Sequence, residues 1–333
     1  MVAVVGTLLA LLVFFALFGV FLTQYVPLWM TQNEAALSNQ VQTSLATLKS
    51  GVDDQYLFGT ISSYSVPFTT SSNSVPLIAQ PTVASLSYLN GCPSGLSSTG
   101  APESVSTCDF DGLSYATATG GANSKDFSYT DSAVTDYFEV ADPNRYYTSV
   151  DYFFESDGIA GTQYSGHQWM VVPPPLNITK SGSTVDVQSS FVLLLGNASS
   201  FTGLGSKDVT SRLESASSVN STDRFETTTG APRTFNVTVK LGLHLACAWY
   251  NLLYNLSEQA LGAPSTTTWG LTMDNSTGAV ASATTSASTT FPSSAVCLIS
   301  LTSTYELTLT IYGVSYASAY LAEVDLGFNA GGL

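Results

Sequence analysis

No charged side chain occurs before Glu34, and this feature constrains the chain more than any other. Between Met1 and Leu22 only Gly6, Thr7 and Gly19 interrupt a continuous apolar run. As an α-helix, this run rises about 33 Å, close to the thickness of the hydrocarbon core of a bilayer. The run therefore predicts a helix that is buried in lipid or in an assembly. The side chains expected to be buried in this way are Val4, Leu8, Leu11, Phe14, Phe15, Phe18, Phe21 and Leu22.

A cleaved secretory signal fits this stretch poorly. No basic residue precedes the apolar run, and the large residues Tyr25, Leu28 and Trp29 surround its end. A permanent membrane anchor is the simpler interpretation. No Lys or Arg occurs before Lys49, so the basic flank that orients most membrane helices is missing. Removal of a basic leader before Met1 would explain that absence.

The helical pattern continues past the apolar run as an amphipathic segment. Its narrow apolar stripe, with spacings of four, four, three and four, consists of Leu37, Val41, Leu45, Leu48 and Val52. We expect this stripe to pack on the chain's own sheet, to form a seam with a partner helix, or to do both. Pro27 is expected to loosen the helix around Gln24. The sequence predicts one long helix over residues 1–55.

From Tyr56 onward the hydrophobic period changes to two, which is typical of strands. The predicted fold class is α+β: a long hydrophobic, then amphipathic, N-terminal helix followed by an antiparallel β-sandwich-like head with one additional helix. We expect head segments at residues 56–172 and 173–333, divided at the stiff Pro173–Pro175 joint. The segment 276–294, rich in Ser, Thr and Ala, predicts a surface loop. The apolar face of the additional helix contains Leu245, Trp249, Leu252, Leu253 and Leu256, and Gly262 and Pro264 are its stop signals.

Cysteines and glycosylation triplets predict an extracellular location. The four cysteines allow three pairings, of which we favour Cys92–Cys108 and Cys247–Cys297, one in each half of the chain. N-x-S/T triplets, which we expect to carry covalent glycans, begin at Asn177, Asn197, Asn220, Asn236, Asn255 and Asn275. A net charge of −15 with only nine Lys and Arg residues argues against a nucleic-acid partner.

The sequence predicts no enzyme, metal site or cofactor. His167 and His244 are the only histidines, and neither has metal-ligand neighbours. No nucleophile elbow and no phosphate-binding loop is present. Asp109, Asp111 and Asp142 offer a weak calcium alternative, because two carboxylates in a turn are usually only a turn. A secreted hydrolase ranks far below the other functions.

The N-terminal stretch resembles that of a mature archaeal type IV pilin or archaellin after prepilin-peptidase processing. The block QYVPLWMTQNEAALSNQVQTSLATLKSGVD is similar to a group of archaeal pilin-like surface proteins with large heads. SVPFTTSSNSVPLIAQPTVASLSY, NRYYTSVDYFFESDG, GHQWMVVPPPLNIT and the closing strands are similar to that group too. Position 5 is Val5, where bacterial type IV pilins carry Glu.

The resemblance implies a structural protein that polymerises. Its partners would be copies of itself in a helical homopolymer, the cytoplasmic membrane before assembly, and a pilus assembly machinery that extracts the subunit. The location would be the cell surface or an extracellular filament. The alternative from another class is a monomeric membrane-anchored surface glycoprotein or adhesin with the same head.

Overall fold

The structure, a computed structural model, describes residues 2–59, 62–74, 79–89, 112–117, 127–129, 136–220, 233–241, 245–265, 268–275 and 305–328. The chain is α+β, with a long N-terminal helix followed by a head that is mostly β-sheet.

The N-terminal helix has two α-helical parts joined by one wide turn. Helix α1 (Val2–Val20) is followed by a π-helical turn (Phe21–Tyr25) and then by helix α2 (Val26–Phe58). Pro27 has no N–H and its ring clashes with a carbonyl one turn earlier, so the wide turn lies where the helix must loosen. The backbone N–H of Val26 accordingly bonds to the carbonyl of Phe21.

Helix α2 continues beyond the predicted end at residue 55. Tyr56, Leu57 and Phe58, which the sequence pattern assigns to the first strand segment, form its last turn. Gly59 ends the helix with φ 61°, and its N–H bonds to the carbonyl of Gln55. Glycine adopts this left-handed conformation at little cost, which explains why the helix stops there.

The head contains sixteen described strands and one further helix, α3 (Ala246–Leu261). The strands are β1 (Ser63–Thr69), β2 (Ser85–Leu89), β3 (Gly112–Thr117), β4 (Phe127–Tyr129), β5 (Tyr137–Asp142), β6 (Val150–Glu155), β7 (Gly158–Gln163), β8 (Gln168–Val172), β9 (Leu176–Ser181), β10 (Thr184–Leu195), β11 (Ser199–Thr202), β12 (Ser206–Asn220), β13 (Arg233–Leu241), β14 (Trp269–Asn275), β15 (Tyr305–Tyr312) and β16 (Val314–Phe328).

These strands form three sheets. The central sheet has the order β1-β12-β16-β10-β9, the hairpin sheet has the order β11-β2-β5-β6-β7-β8, and the third sheet has the order β14-β15-β13-β3-β4. Among the described strands, neighbours pair antiparallel except β10 and β16, which are parallel. The prediction of a wholly antiparallel head is therefore wrong at this central pair.

Two apolar cores cover opposite faces of the central sheet. The helix-side core contains the stripe of α2 with side chains of β1, β2, β5, β6, β10, β12 and β16. The far core contains α3 with side chains of β9, β10, β13, β14, β15 and β16. Along β10, Leu193 lies in the far core, whereas Val192 and Leu194 lie in the helix-side core. Burial on both faces explains the continuous apolar run FVLLL.

The predicted division of the head at Pro173–Pro175 does not separate its sheets. Strand β1 from the first segment pairs with β12 from the second, β2 pairs with β11, and β3 pairs with β13. All three sheets thus contain strands from both 56–172 and 173–333. The proline joint connects β8 of the hairpin sheet to β9 of the central sheet, so it marks a change of sheet within an interleaved head.

Candidate assembly surface and its attachment to the head

Helix α1 presents its apolar side chains on all sides without cover from the described head. The large apolar side chains from Val4 to Val20 are between 43 % and 69 % exposed. Of the eight side chains predicted to be buried in lipid or in an assembly, Phe21 is half-buried and the other seven are exposed. In the described part of the chain, the continuous helix Val4–Phe58, which contains most of α1, is the one helix long and apolar enough to cross a membrane, and an 18-residue stretch of it has a mean hydropathy of 2.7. We call α1 and the π-helical turn the assembly surface.

Aromatic rings continue the assembly surface across the wide turn to the head. Phe21 lies 5.9 Å from Tyr25 and 5.7 Å from Trp29, measured between ring centroids. Tyr146 and Tyr147, in the loop between β5 and β6, are 44 % and 42 % exposed. The hydroxyl of Thr31, one turn beyond Pro27, donates to the carbonyl of Tyr146. Exposed aromatic side chains therefore surround the base of the apolar helix, where membrane proteins place their interfacial belts.

Helix α2 is fixed to the head by its predicted stripe. Leu37, Val41, Leu45, Leu48 and Val52 are each at most 2 % exposed and lie in the helix-side core. Met30, two turns nearer α1 than Leu37, is 1 % exposed. The same continuous helix therefore changes from apolar residues exposed on all sides in α1 to a buried apolar stripe in α2.

A buried carboxylate ties the helix to the loop between β5 and β6. Glu34 is 0 % exposed. Its Oε2 accepts hydrogen bonds from the backbone N–H groups of Tyr146 at 2.6 Å and Tyr147 at 2.7 Å, and the N–H of Arg145 donates to both oxygens at 3.1 Å. The hydroxyl of Thr82 donates to Oε1. A carboxylate that accepts several N–H bonds is a strong attachment, because each bond is charge-assisted.

Two other polar contacts attach α2 farther along its length. The hydroxyl of Tyr152 lies 2.8 Å from Ser38 Oγ and accepts a bond from Gln42 Nε2 at 2.7 Å. About two and a half turns before the end of the helix, Lys49 Nζ contacts both oxygens of Asp53, at 2.9 and 2.8 Å, and Asp157 Oδ1 at 3.0 Å. Asp157 is at the turn between β6 and β7, and burial raises its pKa despite the contact with Lys49.

The hairpin sheet holds several carboxyl groups whose pKa burial raises. Burial raises the pKa of Glu139 to about 7, with a further contribution from Asp151. Burial also raises the pKa of Asp142 and of Asp151 to about 6. Glu155 is 3 % exposed, its Oε2 makes no hydrogen bond among the described residues, and burial raises its pKa to about 8. Each group is held in surroundings that favour its neutral form.

The sequence pattern did not identify Glu34, Lys49 or Asp157 as attachment residues, although each has a local signal. Glu34 interrupts the apolar stripe that runs from Met30 to Leu37, and a charge at a stripe position needs a buried partner. Lys49 and Asp53 form an i, i+4 pair. Asp157 precedes Gly158 at a turn. None of these signals identifies a partner on another element, because the partners are distant in sequence.

Of the weak catalytic and calcium candidates, the structure describes only His167 and Asp142. His167 is exposed beside Trp169, and Asp142 is buried and bonded to Asn144. His244, Asp109 and Asp111 lie outside the described residues, as does the loop 276–294. In the ranges the structure describes, no three His, Cys, Asp or Glu side chains are placed to hold a metal ion.

The cysteines and glycosylation candidates are only partly described. Cys247 is disulfide-bonded, and the other three cysteines lie outside the described residues, so the predicted pairing stays a prediction. Asn177, Asn197 and Asn255 are exposed, and Asn236 is half-buried on β13. The side chains of Asn220 and Asn275 lie outside the described part of the chain.

Comparisons of the chain with family models, with curated proteins and with solved structures gave no match.

Proposed function

We propose that the chain is the structural subunit of an extracellular archaeal type IV pilus-like filament, assembled by packing of its N-terminal helices. The observation that carries this proposal is the contrast within one continuous helix. The head covers the stripe of α2 and leaves α1 bare on all sides. A bare apolar helix of this length is strongly unfavourable in water, so it requires either lipid or copies of itself.

The mechanism is a transfer of α1 from membrane to filament core. Lipid and a bundle of apolar helices are comparably apolar, so burial alone does not favour one over the other. Close packing between helices and contacts between heads supply the bias. Extraction of the helix from lipid is the work of a pilus assembly machinery, as the resemblance to archaeal pilins implies.

The attachment of α2 suits this function because it fixes the head relative to the helix. A helical polymer repeats one geometry in every subunit, so a head that rotated about its helix would give irregular contacts. The Glu34 and Lys49 contacts restrain that rotation at two points along the helix. The exposed asparagines Asn177 and Asn197 and the disulfide of Cys247 suit an extracellular surface, where covalent glycans keep the filament hydrated.

Crosslinking in cells tests whether α1 packs against copies of itself. A Leu12→Cys variant places a thiol on the assembly surface, since Leu12 is 69 % exposed, whereas Leu45→Cys places one in the helix-side core. With a short bis-maleimide reagent, we expect Leu12→Cys to give covalent dimers, because each subunit has one reactive thiol and can be joined to one neighbour. Leu45→Cys and the parent chain should give none. A monomeric band for Leu12→Cys on cells with full surface expression would contradict the proposal.

The second candidate is a monomeric surface glycoprotein or adhesin anchored by the same helix. The observation in its favour is that the N-terminal helix is long and apolar enough to span a bilayer. In that case the chain stays with the membrane fraction when cells are sheared, and detergent extracts it as a single subunit.

A further inference from the structure

Lys49 and Asp157 meet inside the protein with three polar side chains around them. Lys49 is 4 % exposed, and Asp157 is 0 % exposed. Asp157 Oδ1 contacts Lys49 Nζ at 3.0 Å, while Oδ2 lies 3.4 Å from both Tyr56 Oη and Ser190 Oγ. Asp53, on the same helix face as Lys49, contacts Nζ with both carboxylate oxygens. The pair joins α2 to the turn between β6 and β7, 108 residues away in sequence.

We propose that Lys49 and Asp157 react with each other to form an intramolecular isopeptide bond between Nζ and Cγ. This modification needs only groups that the chain itself supplies. It does not depend on the proposed filament function, since an anchored monomer with the same head would contain the same cluster.

The backbone holds the two reacting groups in place. Asp157 follows Ser156 at the tip of the β6–β7 hairpin, and the two residues have φ of 65° and 48°. Positive φ at both central residues is the conformation of a tight two-residue hairpin turn, so the position of Asp157 is fixed by the hairpin. Lys49 is fixed by the stripe residues Leu48 and Val52 on either side of it. Fixed contact between a nucleophile and a carboxyl group gives a very high effective concentration.

Burial favours the protonation state of Asp157 that the reaction requires. An amine attacks only when neutral, and a carboxyl group accepts attack far more readily as the acid than as the carboxylate. Burial raises the pKa of Asp157 and so favours its acid form. Transfer of one proton from Lys49 to Asp157 Oδ1 converts a buried ion pair into a neutral amine and a neutral acid.

The bond-forming steps balance without an outside reagent. The lone pair of Nζ attacks Cγ, and the carbonyl electrons move to Oδ2, where Tyr56 and Ser190 are placed to donate hydrogen bonds. Asp53 accepts one proton from the nitrogen and passes it to Oδ1. The Cγ–Oδ1 bond then breaks, and Oδ1 leaves as water. The ammonium and the carboxylate have become an amide and one water molecule, and Asp53 is again a carboxylate.

The bond would close a covalent loop between the helix and the head. Such a loop removes conformational freedom from the unfolded chain. The bond would also transmit tension between α2 and the hairpin sheet through a covalent link. Without the bond, only noncovalent contacts transmit that tension.

Intact mass spectrometry of the full chain tests the proposal directly. The protein is produced without glycosylation, purified in detergent and reduced. We expect a mass lower than the sequence mass by one water molecule, and a branched proteolytic peptide that joins Lys49 to Asp157. Lys49→Arg and Asp157→Ala should both have their full sequence masses. The matched control Lys180→Arg changes an exposed lysine on β9 and should retain the loss of water.

A second measurement does not depend on how well the variants fold. The parent chain is denatured and treated with an amine-modifying reagent, which reaches every free lysine. A parent chain at full sequence mass with Lys49 modified overturns the proposal and leaves the cluster as an ion pair.

Asp53→Asn keeps both reacting groups, and we expect its crosslink to form about 100-fold more slowly because the proton relay is removed.

Discussion

At the scale of single residues, the attachment of α2 to the head depends on a charged side chain at a position where the apolar stripe predicts an apolar one. Glu34 occupies a stripe position and is completely buried, yet its carboxylate accepts three backbone N–H groups and one hydroxyl. The three N–H donors belong to the loop that carries the exposed Tyr146 and Tyr147. Glu34 therefore sets the position of that loop beside the base of the assembly surface.

Glu34→Gln is expected to weaken this attachment. The neutral amide places N–H donors where the loop already presents donors, so at least one buried N–H group loses its partner. We expect the free energy of unfolding of the head to fall by about 2–3 kcal/mol. The measurement is chemical denaturation of the full chain in detergent, followed by tryptophan fluorescence. Glu214→Gln, an exposed carboxylate on β12, is the matched control and should change stability little. Equal stability of the two variants would contradict the structural role given to Glu34.

At the scale of elements, the hairpin of β5 and β6 makes the head more stable in acid. Glu139, Asp142, Asp151 and Glu155 all have a raised pKa because they are buried. Between the ordinary carboxyl pKa and these raised values, the folded head binds more protons than the unfolded chain. Stability therefore decreases as pH rises through that interval, and the full contribution is present only below it.

Glu155 is expected to dominate this pH dependence. Its pKa rises from 4.5 to about 8, so its contribution is lost as pH increases between those values. We expect the melting temperature of the parent chain to fall steadily over that range. Glu155→Gln should reduce this decrease in melting temperature. At the alkaline end of the range, the variant should lose less unfolding free energy than the parent chain, by an amount on the order of 3 kcal/mol. A melting temperature that rises with pH over this range would show that the hairpin carboxyls are not buried as described.

A Leu→Ala substitution should lower the stability of the head when it is made in α2 and leave it unchanged when it is made in α1. Leu45 is 0 % exposed in the helix-side core, and Leu12 is 69 % exposed on the assembly surface. Leu45→Ala removes a buried side chain and should destabilise the head by about 2–5 kcal/mol. Leu12→Ala should leave the unfolding of the head unchanged. Comparable losses of head stability for both variants would mean that α1 packs on the head.

At the scale of the whole molecule, the sequence predicts the helix better than it predicts the head. The apolar run and the stripe are local periodic patterns, and Pro27 indicates the loosened turn next to it. The parallel pairing of β10 with β16 joins segments more than a hundred residues apart and has no local signal. The backbone groups that bind Glu34 could not be predicted either, because they lie more than a hundred residues away in sequence. Residues 56–58 extend the helix because the residue that stops it is Gly59, which lies beyond Tyr56, where the hydrophobic period changes to that of a strand.

The central claim is that α1 forms the core of a filament, and cryo-electron microscopy of material sheared from the cell surface tests it most directly. The account predicts filaments whose centre is a bundle of helices formed by residues 1–30. It predicts heads outside that bundle, joined through a continuous α2. Recovery of the protein only in the membrane fraction, as a detergent-bound monomer and with no filaments in the sheared material, would contradict the claim and favour the anchored surface glycoprotein.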